Sequence, residues 1–298
     1  MVAKKWAIPV IILFLFTFCK DHAVKSEDTG VKSMDSASIS RWDVIQNGHL
    51  VITVFKDSGI YWKITDPARI TVDADYKGVA RSLKHISKLR DMVPIAVDKS
   101  KWKDKGLQDT SSQIVIYVSG KKADSFIIGK LEFVDQKLSS YPLRRPGSDQ
   151  VYFLKGMYLD GSVLAPFEHL RKRDMAPVDI SYMKSIRIST PGSNTYYLLE
   201  RFKDQWSISG QAIDQAKANA YAKMLTELQI PNFVPAARQK MAQASLLIET
   251  TYGPVKFTAT EQGAGNWVLA SSVNIGNYLA LTTAQVQAIF PPADFFQK

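Results

Sequence analysis

Two stretches of this chain repeat one order of patterns, and that repetition limits the possible fold more than any single motif does. The first runs from Trp42 to Ile64: an apolar-alternating stretch, HLVITVF, then a turn, KDSG, then IYWKI. The second runs KSIRIST, a turn at Pro191-Gly192-Ser193-Asn194, then TYYLLERF, KDQ and WSI. Alternation of apolar and polar residues is the period of a half-buried strand. Each stretch closes on a tryptophan two residues before an isoleucine, at Trp62 and at Trp206.

A helical period follows in both places. In the first, Asp75 is placed to cap a helix, and Tyr76, Val79, Leu83, Ile86 and Leu89 fall on one face at spacings of three and four. In the second, Ala218, Tyr221, Ala222, Leu225 and Leu228 do the same. Val79, Leu83, Ile86 and Leu89 map onto Ala218, Ala222, Leu225 and Leu228 at one constant offset, an agreement that unrelated segments do not produce. Further strand-like runs follow each helix: IVIYVSG and SFIIGK, then SLLIETTYG, VKFTAT and NWVLAS. Each half ends on a tyrosine-bearing run and a short helical segment, VYFL with PFEHLRKR and NYLAL with TAQVQAIF.

The expected fold is therefore α+β: two tandem repeats of a mostly antiparallel sheet, with one main helix and one short helix per repeat. The strand separations are too short for repeated βαβ crossovers. Repeats of about 130 residues are domain-sized, so this is a duplication and not a solenoid. The first unit is expected over 41–180 and the second over 181–298, with the boundary near Pro177 to Tyr182.

The N-terminus carries the address. Lys4 and Lys5 precede an apolar run from Trp6 to Phe18, after which the chain turns polar. That is the layout of a secretory signal. The run is about 13 residues, against the roughly 20 that a spanning helix needs. The single cysteine, Cys19, lies at the border of the run. This resembles a bacterial lipoprotein signal over 1–19, with cleavage before Cys19 and acyl chains on it, although the preceding Phe18 is larger than usual there. The alternative is an uncleaved anchor in which Cys19 is incidental. From 20 to 40 the chain is Lys, Asp, Glu, Ser and Gly with almost no large apolar residue, and reads as a flexible tether of up to about 70 Å.

Lys and Arg outnumber Asp and Glu by 38 to 28. A basic balance favours anionic partners, yet no nucleic-acid motif is present, and nucleic acid is not an expected partner. Lys99, Lys101, Lys103 and Lys105 alternate with other residues and read as a solvated loop. The candidate surface for an anionic partner is Arg144, Arg145, Arg171, Lys172 and Arg173, which would cluster if the loop from Pro142 to Gly147 folds over the short helix.

Catalytic chemistry is not legible. His22, His49, His85 and His169 show no metal-helix spacing, and His85 falls on the polar face of its helix. Glu168 and His169, as neighbours on a helix, point apart. Asp73-x-Asp75-x-x-Gly78 echoes the start of a calcium loop, but lysines occupy later ligand positions, and helix capping accounts better for both aspartates. Gly263-Ala264-Gly265 reads as a hairpin turn. Trp62, Trp206, Trp267, Tyr152 and Tyr278 read as core. No catalytic residue, metal ligand or cofactor is assigned.

Trp62-Lys63-Ile64, Gly106-Leu107, Ile127-Ile128-Gly129-Lys130, Val151-Tyr152 and Leu170-Arg171-Lys172-Arg173-Asp174 carry a likeness over most of the chain after the tether. On these the chain resembles the bacterial domain-of-unknown-function family numbered 4340. It departs from the pattern where Lys172 stands for an acidic residue and where the second unit lacks the Gly-Leu pair. The resemblance implies a duplicated, envelope-anchored protein and, as a partner, an envelope or ABC-transporter-type protein. It brings no catalytic residues.

The first functional expectation is a non-enzymatic scaffold or accessory subunit of an envelope or transporter assembly. It would be held by its N-terminal lipid on the periplasmic side or at the cell surface. The alternative is a module that binds a glycan or small molecule in a groove between the units. An enzyme built from scattered carboxylates and tyrosines is the third class.

Overall fold

The computed structural model describes residues 34–57, 61–134, 138–156, 159–193, 195–236 and 241–297. The signal segment, Cys19 and most of the expected tether lie outside the described residues. The last part of that tether belongs to the fold. Met34 packs into the first core, and the first strand starts at Ile39, because these two apolar residues are buried by the sheet that follows. Among the described residues no helix is long and apolar enough to cross a membrane.

The first unit contains strands β1 (Ile39–Gln46), β2 (His49–Lys56), β3 (Trp62–Thr65) and β4 (Thr71–Asp73), then helix α1 (Tyr76–Ser87). After these come β5 (Val93–Ile95), α2 (Trp102–Lys105), β6 (Gln113–Val118), β7 (Lys121–Ile128), β8 (Glu132–Val134), β9 (Leu138–Arg144), β10 (Val151–Lys155) and α3 (Phe167–Leu170). The second unit has β11 (Met183–Ser189), β12 (Tyr197–Phe202), β13 (Gln205–Ile208), β14 (Gln211–Ala212) and α4 (Gln215–Thr226). It ends with β15 (Phe233–Val234), β16 (Ala244–Thr250), β17 (Gly253–Gly263), β18 (Asn266–Ser271), β19 (Tyr278–Thr282) and α5 (Thr283–Ile289).

Every strand pair in both sheets is antiparallel. The first sheet runs β4-β3-β2-β1-β6-β7-β9-β10-β5, with β8 paired to β9, and the second runs β14-β13-β12-β11-β16-β17-β18-β19-β15. Strand for strand the two orders are the same, and β8 is an addition to the first. The α+β duplication read from the repeat is the fold.

Local chemistry accounts for the elements. In β16 the side chains of Ala244, Leu246, Ile248 and Thr250 alternate into the interior while Ser245, Leu247 and Glu249 face outward. Asn47-Gly48, Ser119-Gly120, Ser209-Gly210 and Ala264-Gly265 all have positive φ at both residues. That conformation fits the right-handed twist of hairpin strands and sets their register. The expected hairpin turn at Gly263-Ala264-Gly265 forms in this way. Helices α1 and α4 are 12 residues each, and Asp75 and Asp214 cap them through bonds to backbone N–H groups. Val79 and Ile86 on α1, and Ala218, Ala222 and Leu225 on α4, are buried. Tyr76, the first residue of α1, departs from the expected face and is 72% exposed.

Each unit has its own core. The first ends at Leu170 and the second begins at Met175. The division therefore falls ahead of the expected Pro177 to Tyr182, because Met175 and Ala176 are fully buried in the second core.

Candidate functional site at the unit junction and on the second sheet

Residues 171–174 form a short strap that bonds to both units. Ala74, just ahead of α1, bridges to Arg171, and Asp174 bridges to Gln229, just after α4. Lys172 N–H donates to Asp73 O, while Met175 N–H donates to Leu228 O and Ile230 N–H to Arg173 O, all at 3.0 Å.

The connection between β18 and β19 docks on this strap. Asn274 Nδ2 donates to Lys172 O at 3.0 Å and to Asp174 O at 3.1 Å. Asn277 Nδ2 donates to Asp73 O at 3.1 Å and to Asn274 Oδ1 at 2.6 Å. Ser271 Oγ donates to Met175 O at 2.6 Å. Asn274 and Asn277 are almost fully buried, and buried amides are tolerated only when so satisfied. Asp73 pairs with Lys63 on one oxygen and accepts Ile275 N–H on the other. Asp73 is therefore a clasp between units and not a helix cap, whereas Asp75 caps α1 as expected. Gly276, at φ +81°, lies so close that an added Cβ would sit 2.8 Å from Val72 Cγ1.

The five expected surface cations do not form one patch. Arg144 is 2% exposed. It donates to Leu107 O and to Asp109, both at 2.6 Å, and its guanidinium lies 4.3 Å from the Trp102 ring centroid. Lys99, Lys101 and Lys103 are exposed, as the reading of a solvated stretch expects, but the stretch is helical at Trp102–Lys105 and not a loop. Helix α2 and Leu107, which is fully buried, fold back onto the outer face of the first sheet. Gly129 permits that approach, since a Cβ there would lie 2.5 Å from Lys105 O. Arg145 is bonded to Asp124 at 3.1–3.2 Å, which raises its pKa.

The other three cations line the junction. Arg171, 8% exposed, donates to Asn277 Oδ1 at 2.7 Å and to Glu168 at 3.1 Å. Its guanidinium lies 3.8 Å from the ring centroid of Phe233 in the second unit and 5.4 Å from that of Phe167 in the first. Lys172 Nζ donates to Val273 O, and burial lowers its pKa against the pull of Asp73 and Asp174. Arg173 donates to Ile230 O and Pro231 O at 2.7 Å. These cations are consumed by internal carbonyls and carboxylates, so the expected anionic-partner surface is not assembled.

His85 is also not freely solvated. Its Nδ1 lies 2.6 Å from Ser162 Oγ, and burial, then Lys88, Arg81 and Lys84, lower its pKa. Burial lifts the Tyr141 hydroxyl, which is bonded to Asp160 at 3.1 Å, to about 12. Among the described residues there is no group of three or more His, Cys, Asp or Glu side chains placed to hold a metal ion.

An open concavity of about 330 Å³ lies on the outer face of the second sheet, lined among others by Arg187, Tyr196, Ser189, Ser245, Leu247 and Lys256. The register makes two rows. Arg187 is opposite Leu247, which is opposite Lys256, and Ser189 is opposite Ser245 one step along. Arg187 and Lys256 are exposed, and the Arg187 guanidinium lies 4.7 Å from the Tyr196 ring centroid.

No curated protein and no solved structure matches the chain. A family model matches residues 62–246, from β3 of the first unit through the strap to β16 of the second. More than half of the chain lies within that match, so this protein belongs to the family described as Domain of unknown function (DUF4340).

Proposed function

We propose that the protein is a non-catalytic, membrane-tethered scaffold or accessory subunit of an envelope or transporter assembly. The observation that supports this most is the junction. A strap bonded to both units, two buried asparagines and the shared clasp Asp73 couple the two sheets, so that they present one platform to a partner. The β18–β19 connection occupies the junction itself, which favours a scaffold over capture of a ligand there. The apolar run from Trp6 to Phe18 with Cys19 at its border supplies the tether. An acylated Cys19 would hold the platform at a bilayer, two or more chains giving stable anchoring where one is marginal.

Cross-linking in cells, detergent solubilisation and capture of the native protein, followed by mass spectrometry of partners and of the N-terminal peptide, tests the reading. Stoichiometric membrane proteins recovered together with acylated Cys19 are expected. A chain recovered alone, with Cys19 unmodified, would overturn it. A second reading, binding of a small ligand, is favoured by the concavity on the second sheet.

A further inference from the structure

The concavity has the makings of a site for a doubly charged anion. Its two cations stand on the first and third of three neighbouring strands, flanking Leu247 on the same face. Strand spacing places their backbones about 10 Å apart, a gap that both long side chains can close above Leu247. Among the described residues neither cation has a carboxylate partner. The first sheet treats its own cation differently. On β1, the counterpart of β11, Arg41 is neutralised by Asp43 at 2.7–2.8 Å and stacks over Tyr117. Arg187 stacks on Tyr196 alone.

Hydroxyls complete the lining. Ser189, Ser245 and Thr195 lie on the side of the cations away from Glu249, which occupies the opposite row with Ser185. An anion is thus drawn toward the serine row and repelled from the other. From this arrangement we infer that the concavity binds a phosphate monoester. Such a group carries about −1.5 to −2 charge at neutral pH and three acceptor oxygens, which matches two cations and the Ser245 hydroxyl, the Ser189 and Thr195 hydroxyls being bonded to Ser193. A carboxylate, with one charge and two oxygens, leaves one cation unmatched. Leu247 and the exposed Tyr196 ring then face the organic part of the ligand.

The phosphate can belong to a soluble molecule or to a lipid headgroup, and the test separates these. The full-length chain in uncharged nanodiscs is treated with an amine-reactive label, and modification of Lys256 is followed by mass spectrometry. The measurement is repeated with glycerol 3-phosphate in solution and, separately, with phosphatidic acid in the nanodisc. Protection by glycerol 3-phosphate supports a soluble ligand, and protection by phosphatidic acid alone supports a headgroup. In either case Arg187→Gln is expected to raise the concentration needed for protection about tenfold, with the melting temperature unchanged because the side chain is exposed. Failure of both probes to protect Lys256 would overturn the inference. So would protection that persists undiminished in Arg187→Gln.

Discussion

Arg171 joins more of the molecule than its place in a run of three basic residues implies. It touches Glu168 and Phe167 on one side and Asn277 and Phe233 on the other. Hydrogen bonds to a charged group contribute about 1.5–3 kcal/mol each when one partner is removed. Arg171→Ala is therefore expected to lower the unfolding free energy by about 2–3 kcal/mol, read from urea denaturation. A loss below about 0.5 kcal/mol, the range of ordinary surface changes, would show that the junction does not depend on it. His85 makes a second prediction at this scale. Its folded pKa lies below the ordinary 6.5, so between those two values the unfolded chain binds more protons and stability rises with pH. Its contribution is complete above 6.5 and is lost as pH falls through the folded value. Melting temperatures on either side of that window should show a drop in acid that is smaller in His85→Gln. Neither role was legible in the sequence. A run of cations has the composition of a solvated face, and the partners that bury Arg171 lie up to 106 residues away.

Elements were more legible than residues. The helical period placed α1 and α4, and Asp75 marked the start of α1, because a cap and an apolar stripe are local properties of the chain. What each helix does with its stripe differs. Ser82 on α1 is buried and donates to Gly78 O at 3.1 Å, while Tyr221 on α4 reaches across to Ile289 O at 2.7 Å. Both helices nonetheless start on an aspartate cap, Asp75 accepting one backbone N–H and Asp214 two. Asp75→Ala and Asp214→Ala should each cost about 1 kcal/mol, measured by thermal or chemical unfolding, and a pair of unequal losses would show that the duplicated helices are capped alike without depending on the caps alike. The α2 segment was the element least visible in advance. Alternating lysines conceal the half-buried Trp102 and the buried Leu107, whose packing follows from Arg144 on β9 and from Gly129 just after β7.

At the scale of the whole molecule, the junction sets whether the chain unfolds as one body or two. Each unit has a separate core, so either is large enough to unfold by itself once uncoupled. Calorimetry of the wild-type protein is expected to show one transition. Gly276→Val, which places a branched side chain at φ +81° against Val72 and Thr71, should split it into two. A wild-type protein that already melts in two steps would mean that the strap links the units without coupling them. The sequence by itself determined the duplication, the alternation of strands and helices, the aromatic core residues Trp62, Trp206 and Trp267, and the family likeness. All of these are written in local periods or in the comparison of one half with the other. Tertiary structure alone decided the clasp at Asp73, the burial of Asn274 and Asn277, the internal use of all five expected surface cations, and the pairing of Arg187 with Lys256 across Leu247. Those depend on strand register and on how two finished units dock, and no period along the chain encodes contacts between residues that meet only after both units have folded.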